Sequence, residues 1–165
     1  MDPAALRARC ERRLADLEIQ RPFDLATFCA RLSERRGRRI VLLPTELPAD
    51  SPSGLWIKGE RHDYVVYERA TTPLHQTHIA LHEIGHLLCE HTSPVHDAGV
   101  QVDRLFPSLD PALVRRALGR AGYSTDEESE AELLASLILR RARLAVGPPP
   151  ATPTEQILRR LESGL

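Results

Sequence analysis

The feature that most constrains this 165-residue chain is a pair of histidines four residues apart, with a glutamate directly after the first. They are His82, Glu83 and His86. On an α-helix, residues i and i+4 lie on one face about a turn apart, so both imidazoles can reach one metal ion. The glutamate then lies beside the metal, where it can act as a general base. The segment therefore predicts a metal-binding helix.

The surrounding residues favour a helix with two different faces. Thr72 can cap its N-terminus, Pro73 suits its first turn, and the cluster at residues 92–94 ends it. Apolar residues gather on the face away from the histidines. Gly85 lies next to the histidine stripe, where a missing side chain would let another segment come close. We therefore expect an apolar back packed on the core and a histidine face open to a cleft.

Length and charge narrow the class of protein. A chain of 165 residues can form one domain with its own core, so a metal would serve chemistry rather than folding. The formal net charge of -1 gives no overall attraction to nucleic acid or to a membrane surface. Three widely separated cysteines do not form a disulfide scaffold or a zinc knuckle. We expect a soluble, cytoplasmic protein without a signal peptide or a membrane span.

The remaining pattern predicts an α+β fold, as a mostly helical single domain with a small antiparallel sheet packed beside the metal helix. Residues 1–146 would form the domain, and residues 147–165 a proline-rich break followed by a short C-terminal helix. Further helices are expected around Leu6–Leu17, over Phe23–Arg36, from Asp110 to near Gly119 or Gly122, and from Ser124 onward. The last begins with a capping box to Glu127. Strands are expected over Arg39–Leu43, Leu55–Lys58 and Tyr64–Tyr67, the last two as a hairpin.

A catalytic zinc site needs a third protein ligand and a water position. Acidic residues cluster in the first turns of the last helix, at Asp126, Glu127, Glu128, Glu130 and Glu132. Helix N-termini favour acids, so most of them need no metal. Helical projection places Glu127 and Glu128 on the two sides of the inward stripe without choosing between them. It places Glu130 and Glu132 on the shoulders of the stripe. His78 or Cys89 could contribute instead, but one helix face spans too narrow an arc for three tetrahedral positions.

These residues resemble the ImmA/IrrE family, which consists of cytoplasmic gluzincin-type metallo-endopeptidases often encoded beside helix-turn-helix repressors. The likeness covers Phe23 to Arg140. The matching residues are His82 to His86 with Leu87, Leu88 and His91, then Glu128 to Ala131, Ala135 and Leu137 to Leu139. The chain departs from the family at Leu134, where an aromatic is usual, at Glu132, where asparagine or aspartate is frequent, and at Arg140-Arg141, where a proline often follows.

The resemblance implies a zincin-like metallopeptidase domain within residues 1–146. In the family, the glutamate three residues before the alanine is the third zinc ligand, and here that residue is Glu128. The implied site holds Zn²⁺ through His82, His86 and Glu128, with Glu83 as the catalytic base. The implied function is cleavage of a specific protein substrate, a helix-turn-helix transcriptional repressor.

Other interpretations of the same residues remain open. The ligands could belong to a non-catalytic, zinc-stabilised regulatory or binding module, which would use four protein ligands and no water. Donors to a developing oxyanion could be Tyr123, His78 or His91. The arginines between Arg31 and Arg39 suit the C-terminus of a helix, so direct nucleic-acid binding is not expected.

Overall fold

A computed structural model describes residues 2–92 and 122–144. These residues form helices α1 (Pro3–Arg13), α2 (Leu25–Arg36), α3 (Pro73–Cys89) and α4 (Thr125–Leu144), and strands β1 (Arg39–Thr45), β2 (Gly54–Lys58) and β3 (His62–Glu68). The predicted α+β class is confirmed. In the described ranges, no helix has the length and apolar character needed to cross a membrane. The helix expected from Asp110, the domain boundary at residue 146 and the short C-terminal helix lie outside the described residues.

The sheet is mixed, which corrects the expectation of an antiparallel one. Strands β2 and β3 form the predicted antiparallel hairpin, with Trp56 opposite Val65. Strand β1, however, pairs in parallel with β3, with Val41 opposite Tyr64, and the strand order is β1-β3-β2. Strand propensity identifies a strand but does not specify its partner, so the sequence left this arrangement open. Strand β2 consequently lies at an edge of the described sheet.

The end of α2 is joined to the sheet by a buried aspartate. Gly37 ends the helix in the left-handed region at φ 62°, as its position predicts. Arg36 Nη1 and Arg38 Nε then lie 2.8 Å and 3.0 Å from Asp63 Oδ2, and Trp56 Nε1 donates to Asp63 Oδ1 at 3.2 Å. Two of the clustered arginines therefore neutralise a buried carboxylate on β3. Trp56 is itself a buried core residue.

Helix α3 is capped and anchored largely as the sequence indicates. The backbone N–H of His75 donates to Thr72 Oγ1 at 3.3 Å. The helix ends at Cys89, with Glu90 in the left-handed region, slightly before the predicted cluster. Its apolar back is fully buried, at Leu81, Ile84 and Leu87. Burial of side chains of this size stabilises a fold by about 1.5–3 kcal/mol each, so the helix is a rigid base for its histidine face.

Helix α4 begins with the predicted capping box. The N–H of Ser124 donates to Glu127 Oε2 at 2.8 Å, and the N–H of Glu127 donates to Ser124 Oγ at 3.3 Å. The helix packs along α3 and also contacts α1. Its inward stripe, Ala131, Leu134, Ala135 and Ile138, is fully buried.

Gly85 allows the backbones of α3 and α4 to approach each other. A Cβ atom at Gly85 would lie 2.8 Å from Ala131 O and 2.9 Å from Ala131 Cα. Carbon atoms in contact normally lie about 3.5–4.0 Å apart, and backbone atoms cannot rotate out of the way. The expectation that Gly85 admits another segment is thus confirmed. The segment is the turn of α4 that follows Glu128.

Candidate metal centre

The two histidines of α3 converge through their ε nitrogens. His82 Nε2 and His86 Nε2 lie 3.1 Å apart. The His86 side chain is 1% exposed, whereas that of His82 is 22% exposed. The pair therefore lies at the boundary between the core and solvent, with two imidazole nitrogens directed at one point.

Glu128 brings a carboxylate from α4 to the same point. Its Oε2 lies 3.2 Å from His82 Nε2, and its Oε1 lies 3.8 Å from His86 Nε2. Ligand atoms of His82, His86 and Glu128 all lie within 4.8 Å of one another, so the three residues could hold a metal ion. Two other acidic residues that were candidates for the third ligand make different contacts. Glu127 is engaged by Ser124, and Glu130 is engaged by Arg9.

The spacing of these atoms suits a small cation. Zinc bonds of about 2.0–2.2 Å in a tetrahedron place neighbouring ligand atoms roughly 3.3–3.6 Å apart. The observed separations of 3.1 Å, 3.2 Å and 3.8 Å lie within about 0.2 Å of that range. Two imidazoles and one carboxylate also form a donor set that zinc uses at catalytic sites. The residues present therefore fit the ion that the sequence predicts.

Glu83 is buried beside the ligand group. Burial raises the pKa of its carboxyl to about 8, a hydrogen bond from the backbone N–H of Trp56 opposes that shift, and the nearby charge of Glu128 reinforces it. Gly54 on β2 leaves the space that this carboxyl fills, because a Cβ there would lie 2.7 Å from Glu83 Oε1. Glu83 is thus held between α3 and the edge strand.

A cavity of about 360 Å³ opens directly over these residues. Among the side chains that line it are those of His78, His82, Glu83, Tyr123 and Glu128. The ligand group and the candidate base therefore face the same space, which is large enough for a short stretch of a bound molecule.

The δ nitrogens of both histidines also have partners. His82 Nδ1 lies 3.3 Å from Glu132 Oε2, and His86 Nδ1 lies 2.9 Å from His91 Nδ1. Metal-binding histidines commonly have such a partner, because it fixes the tautomer and the ring orientation. The two ε nitrogens are thereby left to point together.

Cys89 belongs to a second group and not to the first. Its sulfur, His91 and Glu130 also have ligand atoms within 4.8 Å of one another. Burial raises the pKa of the Cys89 thiol to about 12, and the charge of Glu130 adds to this effect. His78 Nε2 lies 3.2 Å from Glu132 Oε1. Neither of the alternative ligands from α3 therefore joins the group formed by His82, His86 and Glu128.

The three candidate oxyanion donors occupy different places. Tyr123 stacks on the ring of His86, with centroids 3.6 Å apart and an interplanar angle of 14°, and it lines the cavity. His78 also lines the cavity. His91 is buried on the Nδ1 side of His86, away from the converging ε nitrogens. Tyr123 and His78 remain candidates, and His91 has a supporting position.

Sequence reasoning assigned Gly54 and Glu132 no place around the site, and it considered Glu130 only as an alternative ligand. In the sequence, Gly54 follows a proline-containing stretch that indicates a loop. It makes room for the Glu83 carboxyl only because β2 packs against α3. Glu130 is engaged by Arg9 across 121 residues of sequence, a separation that no local pattern reveals.

Comparisons with protein-family models, with curated proteins and with solved structures found no match to this chain. The resemblance to the ImmA/IrrE family therefore stays a prediction from its motif residues. The case for a function depends on the geometry of the site itself.

Proposed function

We propose that this protein is a zinc-dependent endopeptidase that cleaves a specific protein substrate in the cytoplasm. One observation carries the proposal. His82, His86 and Glu128 converge on one point beside the buried carboxyl of Glu83, at the floor of a cavity of about 360 Å³. A metal-binding group, a candidate base and space for a substrate thus coincide.

The chain supplies the groups that peptide hydrolysis needs. Zn²⁺ held by His82, His86 and Glu128 would lower the pKa of a bound water and polarise the scissile carbonyl. Glu83 takes the proton from the attacking water at its carboxylate and delivers it to the leaving amine. Tyr123 or His78, which line the same cavity, donate a hydrogen bond to the oxyanion.

The surroundings of Glu83 suit a group that moves a proton. A carboxyl with a pKa raised by burial holds a proton more strongly than an exposed one, which suits a group that takes a proton from water and then delivers it to the leaving amine. The N–H of Trp56 and the space at Gly54 fix its position. The proposed acceptor of the proton therefore has a fixed position.

The edge strand supports an extended peptide as the substrate. Strand β2 lies at an edge of the described sheet, and Gly54 and Leu55 of this strand line the cavity. A peptide can add to such an edge through main-chain hydrogen bonds, and its side chains then determine specificity. The scissile bond would lie over the ligand group.

The substrate that the family resemblance favours is a helix-turn-helix transcriptional repressor. Co-expression with regulators encoded near this chain tests the proposal, with Glu83→Gln as the matched control. The variant keeps the shape of the side chain but lacks the basic carboxylate. We expect a regulator to be cleaved with wild type and to stay intact with Glu83→Gln. Intact regulators in both, with zinc bound and each neighbouring regulator tried, would contradict a repressor substrate.

A non-catalytic zinc module is less well supported. A structural site uses four protein ligands. Over residues 2–92 and 122–144, the group around His82 contains three, and a cavity adjoins it. Three protein ligands next to a cavity leave a fourth position for water, which favours a catalytic site over a structural one.

A further inference from the structure

The buried side of His86 is occupied by another histidine. His86 Nδ1 and His91 Nδ1 lie 2.9 Å apart, with the two rings at 69° to each other. Both residues are buried. Two imidazoles in contact through nitrogens form a hydrogen bond only if one nitrogen carries the proton and the other accepts it.

Metal binding at His86 Nε2 requires one particular placement of the protons on the two rings. His86 can bind a metal through Nε2 only if that nitrogen is deprotonated, which leaves its proton on Nδ1 as a donor. His91 Nδ1 must then accept, so His91 carries its own proton on Nε2. That nitrogen lies 3.3 Å from Glu130 Oε2, which is an acceptor. Each contact thus pairs one donor with one acceptor.

Glu130 is held in turn from α1. Arg9 donates to both of its oxygens, at 2.7 Å and 2.9 Å, and Arg13 Nε lies 3.6 Å away. Burial acts to raise the pKa of Glu130, but the hydrogen bonds from Arg9 and His91 outweigh it and lower the pKa. A bidentate arginine fixes a carboxylate in both position and orientation.

We propose that His91 is a positioning residue of the metal centre, which fixes the tautomer and ring orientation of His86 and is itself held by Glu130 and Arg9. The inference rests on the proposed metal centre at His82, His86 and Glu128. It gives the α1 helix a role in metal binding, although α1 contributes no ligand.

A second metal site is the competing interpretation, because Cys89, His91 and Glu130 also lie close together. Two observations oppose it. Glu130 is already neutralised by guanidinium groups, and a divalent cation next to Arg9 and Arg13 would be repelled. Both ring nitrogens of His91 are also engaged, one by His86 and one by Glu130.

Three variants separate these interpretations. His91→Leu removes the acceptor for His86 Nδ1, whereas His91→Gln keeps an acceptor and a donor in a similar volume. Cys89→Ala removes a ligand of the competing site and leaves the histidine contact unchanged. Zinc affinity is measured by competition with a chromophoric chelator, zinc content by elemental analysis, and folding by denaturant unfolding of the metal-free proteins.

We expect His91→Leu to lower zinc affinity roughly 10–100-fold, the usual effect of losing a partner of a metal-binding histidine. His91→Gln should restore most of that loss, and Cys89→Ala should bind one zinc with wild-type affinity. Wild-type affinity in His91→Leu would overturn the inference. Two zinc ions in wild type and one in Cys89→Ala would overturn it in favour of a second site.

A variant-independent measurement covers the case in which His91→Leu does not fold. The ¹⁵N chemical shifts of the metal-free wild type report the tautomers directly, and we expect protons on His86 Nδ1 and His91 Nε2. A proton on His91 Nδ1 would overturn the inference. These outcomes differ from failure of the proposed function, in which peptide cleavage is absent while zinc affinity still depends on residue 91.

Discussion

Replacing Gly85 with alanine tests the contact that brings α4 to the histidines. The new Cβ would lie 2.8 Å and 2.9 Å from the O and Cα atoms of Ala131. Restoring a normal separation of about 3.5 Å requires the helices to move apart by roughly 0.6 Å. Overpacking of a core costs about 1–3 kcal/mol, and the higher helix propensity of alanine returns up to about 1 kcal/mol. We therefore expect a net loss of stability of about 1–2 kcal/mol.

The same displacement should weaken metal binding, because Glu128 lies one turn before Ala131 on α4. Gly122→Ala is the matched control, since a Cβ at Gly122 meets no atom within 4 Å. Urea unfolding gives the stability and chelator competition gives the zinc affinity. The control should match wild type in zinc affinity. Equal or greater stability of Gly85→Ala, together with unchanged zinc affinity, would refute the reasoning.

Three further predictions follow from the buried groups. Glu83→Gln should keep zinc and reduce turnover at least about 10²-fold. Because the folded-state pKa of Glu83 is raised to about 8, metal-free wild type should lose stability relative to this variant as pH rises from about 4.5 to about 8. Equal changes in the unfolding free energy of the two proteins across that range would contradict the reasoning. Gly54→Ala should displace the Glu83 carboxyl and lower turnover by at least about tenfold at unchanged zinc content, so wild-type turnover would count against it. Asp63→Ala should destabilise the fold by about 3 kcal/mol, because Arg36 and Arg38 lose a buried partner, and a change below about 1 kcal/mol in urea unfolding would contradict this role.

The parts of the fold that were predictable from sequence are those that depend on local periodicity. The two-faced character of α3, its Thr72 cap and the Ser124 capping box involve residues within a few positions of each other. The role of Gly85 was also predictable. A glycine destabilises a helix interior, so its presence there indicates that another segment must come close. What approaches it, Ala131, was not specified.

The parts that were not predictable depend on contacts between distant segments. The β1 sequence indicates a strand, but its parallel pairing with β3 follows from how the chain crosses between β1 and β2. The periodicity of α4 places Glu127 and Glu128 symmetrically about its inward stripe. Packing distinguishes them, because the capping box engages Glu127 and leaves Glu128 facing the histidines. The support of His86 by His91 and Glu130 likewise requires α1 to be in place.

X-ray absorption at the zinc edge tests the central claim most directly, because it reports the atoms bound to the metal in the purified protein. With ligands from His82, His86 and Glu128, we expect about four nitrogen or oxygen neighbours near 2.0–2.2 Å, outer-shell scattering from two imidazoles and no sulfur. Substitution of Glu128 by alanine should remove one oxygen and lower the zinc content. A sulfur neighbour near 2.3 Å would assign the metal to Cys89, and a protein without bound zinc would contradict the account of the site.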